Sequence, residues 1–130
     1  MSLAKYCLDT HPLVWYFTGQ NTLSNKAKLV LDEIFLEKTT CFIPAIVLLE
    51  TYHLGLKNKN FVFPKFLSKL RLPNIVIVPL DKVVLSACFK LPANLDIHDR
   101  IIVATAMVNK CVLISKDEVL RKNITIKTLW

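Results

Sequence analysis

Glycine is almost absent, with two residues in 130, and there is no Gly/Ser-rich or low-complexity tract in which a flexible linker could sit. No self-similar period suggests a repeat protein, so one domain over residues 1–130 is expected. Long hydrophobic runs are missing too. Phe42 to Leu49 and Ile101 to Val108 stop well short of the roughly 20 apolar residues that span a bilayer, which makes them core segments and excludes a membrane partner from the reading. The chain reaches Asp9 before any long apolar stretch, so a secretory leader pattern is lacking and the cytoplasm is the expected compartment. Close cysteine pairs are absent as well. Cys7, Cys41, Cys88 and Cys111 lie far apart, which argues against a zinc or redox motif and for buried free thiols.

What is present suits one substantial core, since 53% of the residues are apolar. Lys and Arg number 17 against 10 Asp and Glu, a formal charge of +7 that suits a polyanionic partner without requiring one. Short β-branched or apolar runs predict strands at Lys5 to Leu8, Cys41 to Ile43, Ile75 to Val78, Val112 to Ser115 and Thr125 to Leu129. Helical patterns fall at Pro12 to Phe17, Asn25 to Glu37, Ala45 to Lys57, Phe63 to Leu70, Lys82 to Leu91, Asp99 to Asn109 and Glu118 to Lys122. Parallel neighbours need a crossover, and the crossover is normally a helix, so this alternation predicts an α/β fold with a mostly parallel five-stranded sheet covered on both faces. Ser24, Asp81 and His98 precede helical patterns, and capping is explanation enough for Ser24 and Asp81.

Ligands in open α/β sheets collect at the carboxyl ends of the strands, which singles out Asp9 and Asp117. Glu50 shares helical spacing with Ile46, Val47 and Leu54, and Asp99 with Ile102, Val103 and Ala106, so both acids are set on apolar stripes. Burying an unpaired carboxylate costs several kcal/mol, and such groups need a cation, a proton or hydrogen-bond donors. A hard, oxygen-seeking ion would answer that need for four acids arriving from four segments. Each acid taken singly also suits a cap or a half-exposed helix position.

These residues carry a resemblance. Leu8-Asp9-Thr10-His11-Pro12-Leu13-Val14-Trp15, Ile43-Pro44 leading to Glu50, Asp96-Ile97-His98-Asp99-Arg100-Ile101-Ile102-Val103-Ala104-Thr105-Ala106, and Val112-Leu113-Ile114-Ser115-Lys116-Asp117 occur in order. With the ending Ile126 to Trp130, they resemble a PIN domain of the VapC toxin type over nearly the whole chain. The family often reads Asp-Pro-Phe-Asp where this chain has Asp96-Ile97-His98-Asp99. Asp96 thus matches a family position while suiting a capping role, and His98 replaces an aromatic residue.

The resemblance implies a three-layer α/β/α sandwich and an endoribonuclease, the toxin of a toxin–antitoxin pair. Asp9, Glu50, Asp99 and Asp117 would be both its catalytic and its metal-holding acids, around Mg²⁺ or Mn²⁺. It also implies an RNA substrate, a cognate antitoxin and a homodimer. Thr10 and Ser115 suit accessory roles in orienting the acids, beside Asp96. Arg100 and Lys116 suit substrate phosphates, as do the lysine clusters at Lys57-Asn58-Lys59 and Lys65 to Arg71. His11 and His53 suit orientation or packing, while Trp15, Tyr16, Phe17, Phe61, Phe63 and Phe66 suit either core or an antitoxin groove. A phosphoacceptor receiver domain would want paired acids after the first strand, and an Asp-x-Asp phosphatase would want an acid where His11 stands. The remaining rival is a catalytically weak PIN-like module that binds RNA or protein without cutting.

Overall fold

The computed structural model describes residues 4–123 and 126–130. Five strands form one sheet: β1 (Lys5–Leu8), β2 (Thr40–Pro44), β3 (Ile75–Val78), β4 (Val112–Ile114) and β5 (Thr128–Leu129). Their order across the sheet is β3-β2-β1-β4-β5, and every pairing is parallel. The central strand aligns Tyr6 with Cys41 of β2 on one side and with Val112 of β4 on the other. The chain therefore moves outward from β1 to β3, then returns to the far side of β1. That reversal opens a crevice at the carboxyl ends of β1 and β4, and right-handed crossovers place the helices of the two halves on opposite faces.

The helices are α1 (Thr10–Thr18), α2 (Asn25–Phe35), α3 (Ala45–Gly55), α4 (Phe63–Lys69), α5 (Lys82–Cys88), α6 (Ile97–Val108) and α7 (Glu118–Asn123). The boundaries differ from the sequence-based expectation for identifiable reasons. Helix α1 begins at Thr10 because Asp9 caps it, and Gly19, at φ 68°, closes it by donating to the Trp15 carbonyl. Helix α2 stops at Phe35, where Leu36 leaves helical geometry and Glu37 takes φ 60°. Helix α3 ends at Gly55, against which the Phe61 ring packs so closely that a Cβ there would lie 2.5 Å from it. Helix α6 starts two residues early: its cap is Asp96, which accepts from the Asp99 N–H, so His98 lies inside the helix and does not cap it. Of the fifth predicted strand, Thr125 lies outside the described residues.

The core is built from Leu8, Leu13, Leu31, Ile34, Ile43, Val47, Ile102, Val103, Leu113 and Ile114, all essentially inaccessible. All four cysteines are free and buried, as expected. Among the described residues no helix is long and apolar enough to cross a membrane.

Candidate active site at the carboxyl edge of the sheet

The last residues of β1 and β4 lead directly into the site. Asp9 follows β1, and its N–H donates to the Ile114 carbonyl, which fixes the acid beside the end of β4. Its Oδ1 accepts from the Thr10 N–H at 2.8 Å and its Oδ2 from the Ser115 hydroxyl at 2.8 Å. Thr10, 3% exposed, donates its hydroxyl to Glu50 Oε1 at 2.9 Å. Ser115, fully buried, also accepts from the Asp117 N–H at 3.1 Å, while Asp117 Oδ1 caps α7 by accepting from the Val119 N–H at 2.8 Å. The two hydroxyls thus tie three acids together: Ser115 links Asp9 to the Asp117 backbone, and Thr10 links Asp9's helix to Glu50.

Glu50 stands where the apolar side of α3 gives way. Val47 is buried, but Ile46 is only half-buried and Leu54 is 42% exposed, so the stripe anticipated around Glu50 does not continue inward. The Glu50 side chain reaches the rim of the pocket and retains access to solvent. Asp99 behaves as its spacing suggests, with Ile102, Val103 and Ala106 buried on its face of α6. Asp9, Glu50, Asp96, Asp99 and Asp117 line one pocket of about 450 Å³, together with Thr10, His11, Trp15, His98 and Lys116. Five of the chain's 10 acids therefore meet in one place in a protein of net charge +7.

Crowding leaves an electrostatic mark. Asp99 is pushed up to about 6, first by burial and then by the negative charges of Asp96, Asp9, Asp117 and Glu50. Asp9 is raised as well, chiefly by burial, against the lowering effect of the Ser115 and Thr10 hydrogen bonds. The basic side chains lining the pocket among the described residues are Lys116 and two histidines, His11 and His98, the latter with its Nδ1 3.7 Å from Glu50 Oε2.

Arg100 requires a correction. Its guanidinium donates to four backbone carbonyls, those of Cys88 (3.0 Å), Leu91 (3.1 Å), Pro92 (2.7 Å) and Leu95 (3.2 Å), and it does not line the pocket. It organises the α5–α6 connection and is not placed to meet a phosphate there. Helix α5 itself ends at Cys88, short of the expected Leu91. Lys116, in contrast, lines the pocket with its ammonium 5.8 Å from the Trp15 ring centroid. His11 packs on Trp15, whereas His53 is exposed on α3 away from the pocket. The His98–Glu50 contact carries no local sequence signal, because the two residues are brought together only by the packing of α3 beside α6. The His11–Trp15 stack was detectable, since the two residues are four apart on one helix.

Residues 6–124 match the family described as the PIN domain. The chain belongs to the PIN domain family. Solved structures similar to this PIN domain include VapBC2 from Rickettsia felis bound to a DNA fragment from its promoter, at 18% identity and TM-score 0.71, covering 96% of this chain and 97% of that one. A toxin–antitoxin complex from Klebsiella pneumoniae matches at 20% identity and TM-score 0.71, with 96% of each chain covered. FitAcB from Neisseria gonorrhoeae matches at 16% identity and TM-score 0.68, again over 96% of each chain. At these identities the likeness is one of fold. No curated protein matches the chain.

Whether the pocket of this PIN domain suits a metal can be judged from its donors. Among the described residues no group of three or more His, Cys, Asp or Glu side chains stands close enough to hold an ion as arranged. The chemistry nonetheless fits a hard divalent cation: the donors are carboxylates, the negative charges of the others raise the proton affinity of Asp99, and a positive charge between them would reverse that effect.

Proposed function

We propose that this PIN domain is a metal-dependent endoribonuclease, acting as the toxin of a toxin–antitoxin pair. The observation that carries the reading is the convergence of Asp9, Glu50, Asp99 and Asp117, from four separate segments, on the crevice at the sheet's reversal point. Asp9, Glu50, Asp99 and Asp117 would hold Mg²⁺ or Mn²⁺, which when bound lowers the pKa of a water and steadies charge on a phosphodiester.

The protein's own contribution is orientation. Ser115 and Thr10 restrain the carboxylates of Asp9 and Glu50, because each hydroxyl donates to one carboxylate oxygen and limits rotation of the group. Asp117 is held similarly, with Oδ1 committed to the α7 N-terminus. Asp96 caps α6 and adds negative charge beside Asp99, which makes it an accessory to the four. Lys116, which lines the pocket, would meet a substrate phosphate. No side chain in the pocket is needed as a nucleophile: attack of water on phosphorus, with the P–O3′ bond breaking and the 3′-oxygen leaving to be protonated, would give the 3′-hydroxyl and 5′-phosphate that the family resemblance implies.

An antitoxin partner is supported by the toxin–antitoxin complexes among the similar folds. Phe17, Phe61 and Phe66, with Lys65 and Lys69, line a second pocket of about 460 Å³ where a segment of such a partner would fit. The reading extends to a homodimer working in the cytoplasm.

The test is cleavage of a structured RNA with Mn²⁺, with and without EDTA, alongside Asp9→Asn and Asp99→Asn. Cleavage by the wild type alone, abolished by EDTA, is expected. Cleavage persisting in both variants overturns the site, and RNA binding without any cleavage favours a non-cutting PIN module.

A further inference from the structure

Beside the acids lies an aromatic ladder that the carboxylate network does not use. His11 stacks on Trp15 with ring centroids 5.2 Å apart and planes inclined by 27°, and Trp130 meets Trp15 edge-on at 5.9 Å. The hydrogen bonds that hold the acids run through Thr10, Ser115 and backbone N–H groups, leaving the imidazole of His11 out. Trp15 contacts His11, Trp130 and the Lys116 ammonium, and of the three rings His11 is the exposed one while both tryptophans are half-buried, so the ladder offers its free surface at His11. That face belongs to the first turn of α1, two residues after Asp9, and lines the same pocket.

We propose that the exposed face of His11, backed by Trp15 and Trp130, is a stacking subsite for an unpaired nucleobase next to the scissile phosphate. The inference rests on the reading of the acid pocket as the place where RNA is cut. Unpaired bases are recognised by flat, partly dehydrated rings, and stacking tolerates any base because each has a π face. A ring held against a tryptophan has already lost much of its freedom, so little ordering cost remains when a base arrives. Within one helical turn, about 5.4 Å, the subsite and Asp9 are adjacent, the spacing of a phosphate and its neighbouring base. Lys116, positioned over Trp15, supplies positive charge for the adjoining phosphate.

The chain's only two tryptophans are both in this ladder, so intrinsic fluorescence reports on it directly. Titrating the full chain with a single-stranded RNA hexanucleotide in EDTA, where nothing is cut, is expected to quench that fluorescence. His11→Ala is expected to weaken binding roughly tenfold. His11→Phe, which restores a flat ring without nitrogens, is expected to stay within about twofold of the wild type. With Mn²⁺ present, His11→Ala raises KM while kcat holds within about twofold, the signature of lost binding. Absence of quenching in the wild type overturns the proposal, as does an unchanged affinity in His11→Ala. Equal weakening in His11→Phe and His11→Ala also overturns it, because the nitrogens and not the face would then matter. If the wild type binds and His11→Ala weakens it but no cleavage occurs with Mn²⁺, the ribonuclease reading fails and the stacking subsite stands.

Discussion

Two groups of titratable side chains lie along the same strands with opposite outcomes. Cys7, Cys41 and Cys111 sit in or beside β1, β2 and β4, buried among apolar neighbours, and burial pushes all three thiols up, Cys111 to about 11. The acids lie just beyond the carboxyl ends of these strands. Two of them, Asp9 and Asp99, are raised as well, chiefly by burial, but there hydroxyl and backbone donors meet the acids and a pocket opens to solvent. Desolvation alone produces inert, neutral groups. Desolvation together with donors and an opening produces a set of oriented charges in need of a counterion.

The contrast breaks most sharply if the acids are dispensable. Asp9→Asn and Asp99→Asn are each expected to reduce Mn²⁺-dependent RNA cleavage by at least about a hundredfold, since several kcal/mol of charge stabilisation depends on them. Removing only the orientation should cost less. Ser115→Ala keeps the Asp9 carboxyl but frees its Oδ2, and a loss of about 10–100-fold in cleavage is expected, with RNA affinity in EDTA unchanged. Wild-type cleavage in Ser115→Ala would mean that the hydroxyl merely closes a turn.

Arg100 tests whether a charge next to the pocket belongs to it. With four carbonyls relying on one guanidinium, Arg100→Ala is expected to lower stability by about 2–3 kcal/mol in urea unfolding, with cleavage per folded molecule within a few-fold of the wild type. A phosphate-binding arginine would show the reverse, with lost RNA affinity and unchanged stability. On the thiol side, Cys41→Ser places a more polar hydroxyl in a fully buried position of the core, and a loss of about 1–2 kcal/mol with unchanged cleavage is expected.

The sequence made the acids legible because each has a local sign: Asp9 and Asp117 follow strands, and Asp99 shares its helical face with Ile102, Val103 and Ala106. Caps at Ser24 and Asp81 were readable in the same way. What escaped was whatever depends on a distant partner. Arg100 reads as a charge beside an acid, and only the folded connection from Cys88 to Leu95 reveals where its guanidinium goes. Glu50 reads as an acid on an apolar stripe, yet Leu54 is exposed because the buried line of α3 runs through Val47 and Thr51 and passes Leu54 by. Periodicity says which residues share a face, but not what that face meets.

The smallest effect follows from the crowding itself. Asp99 has a folded-state pKa of about 6 against 3.8 for the free group, so the folded protein binds its proton more tightly. The resulting stabilisation is complete below about pH 3.8 and is lost as pH rises through about 6. At pH 7.5 without metal the ionised carboxylate is therefore a liability, worth about 1 kcal/mol once its half-exposed setting is allowed for. Asp99→Asn should then melt a few degrees above the wild type at pH 7.5 in EDTA, with the gap closing towards pH 4.5. Saturating Mn²⁺ should narrow or reverse the gap by stabilising only the protein that keeps all its acids. If Asp99→Asn instead melts below the wild type at pH 7.5 in EDTA, the acids do not repel one another enough to matter, and the pocket differs from the thiol cluster only in being open.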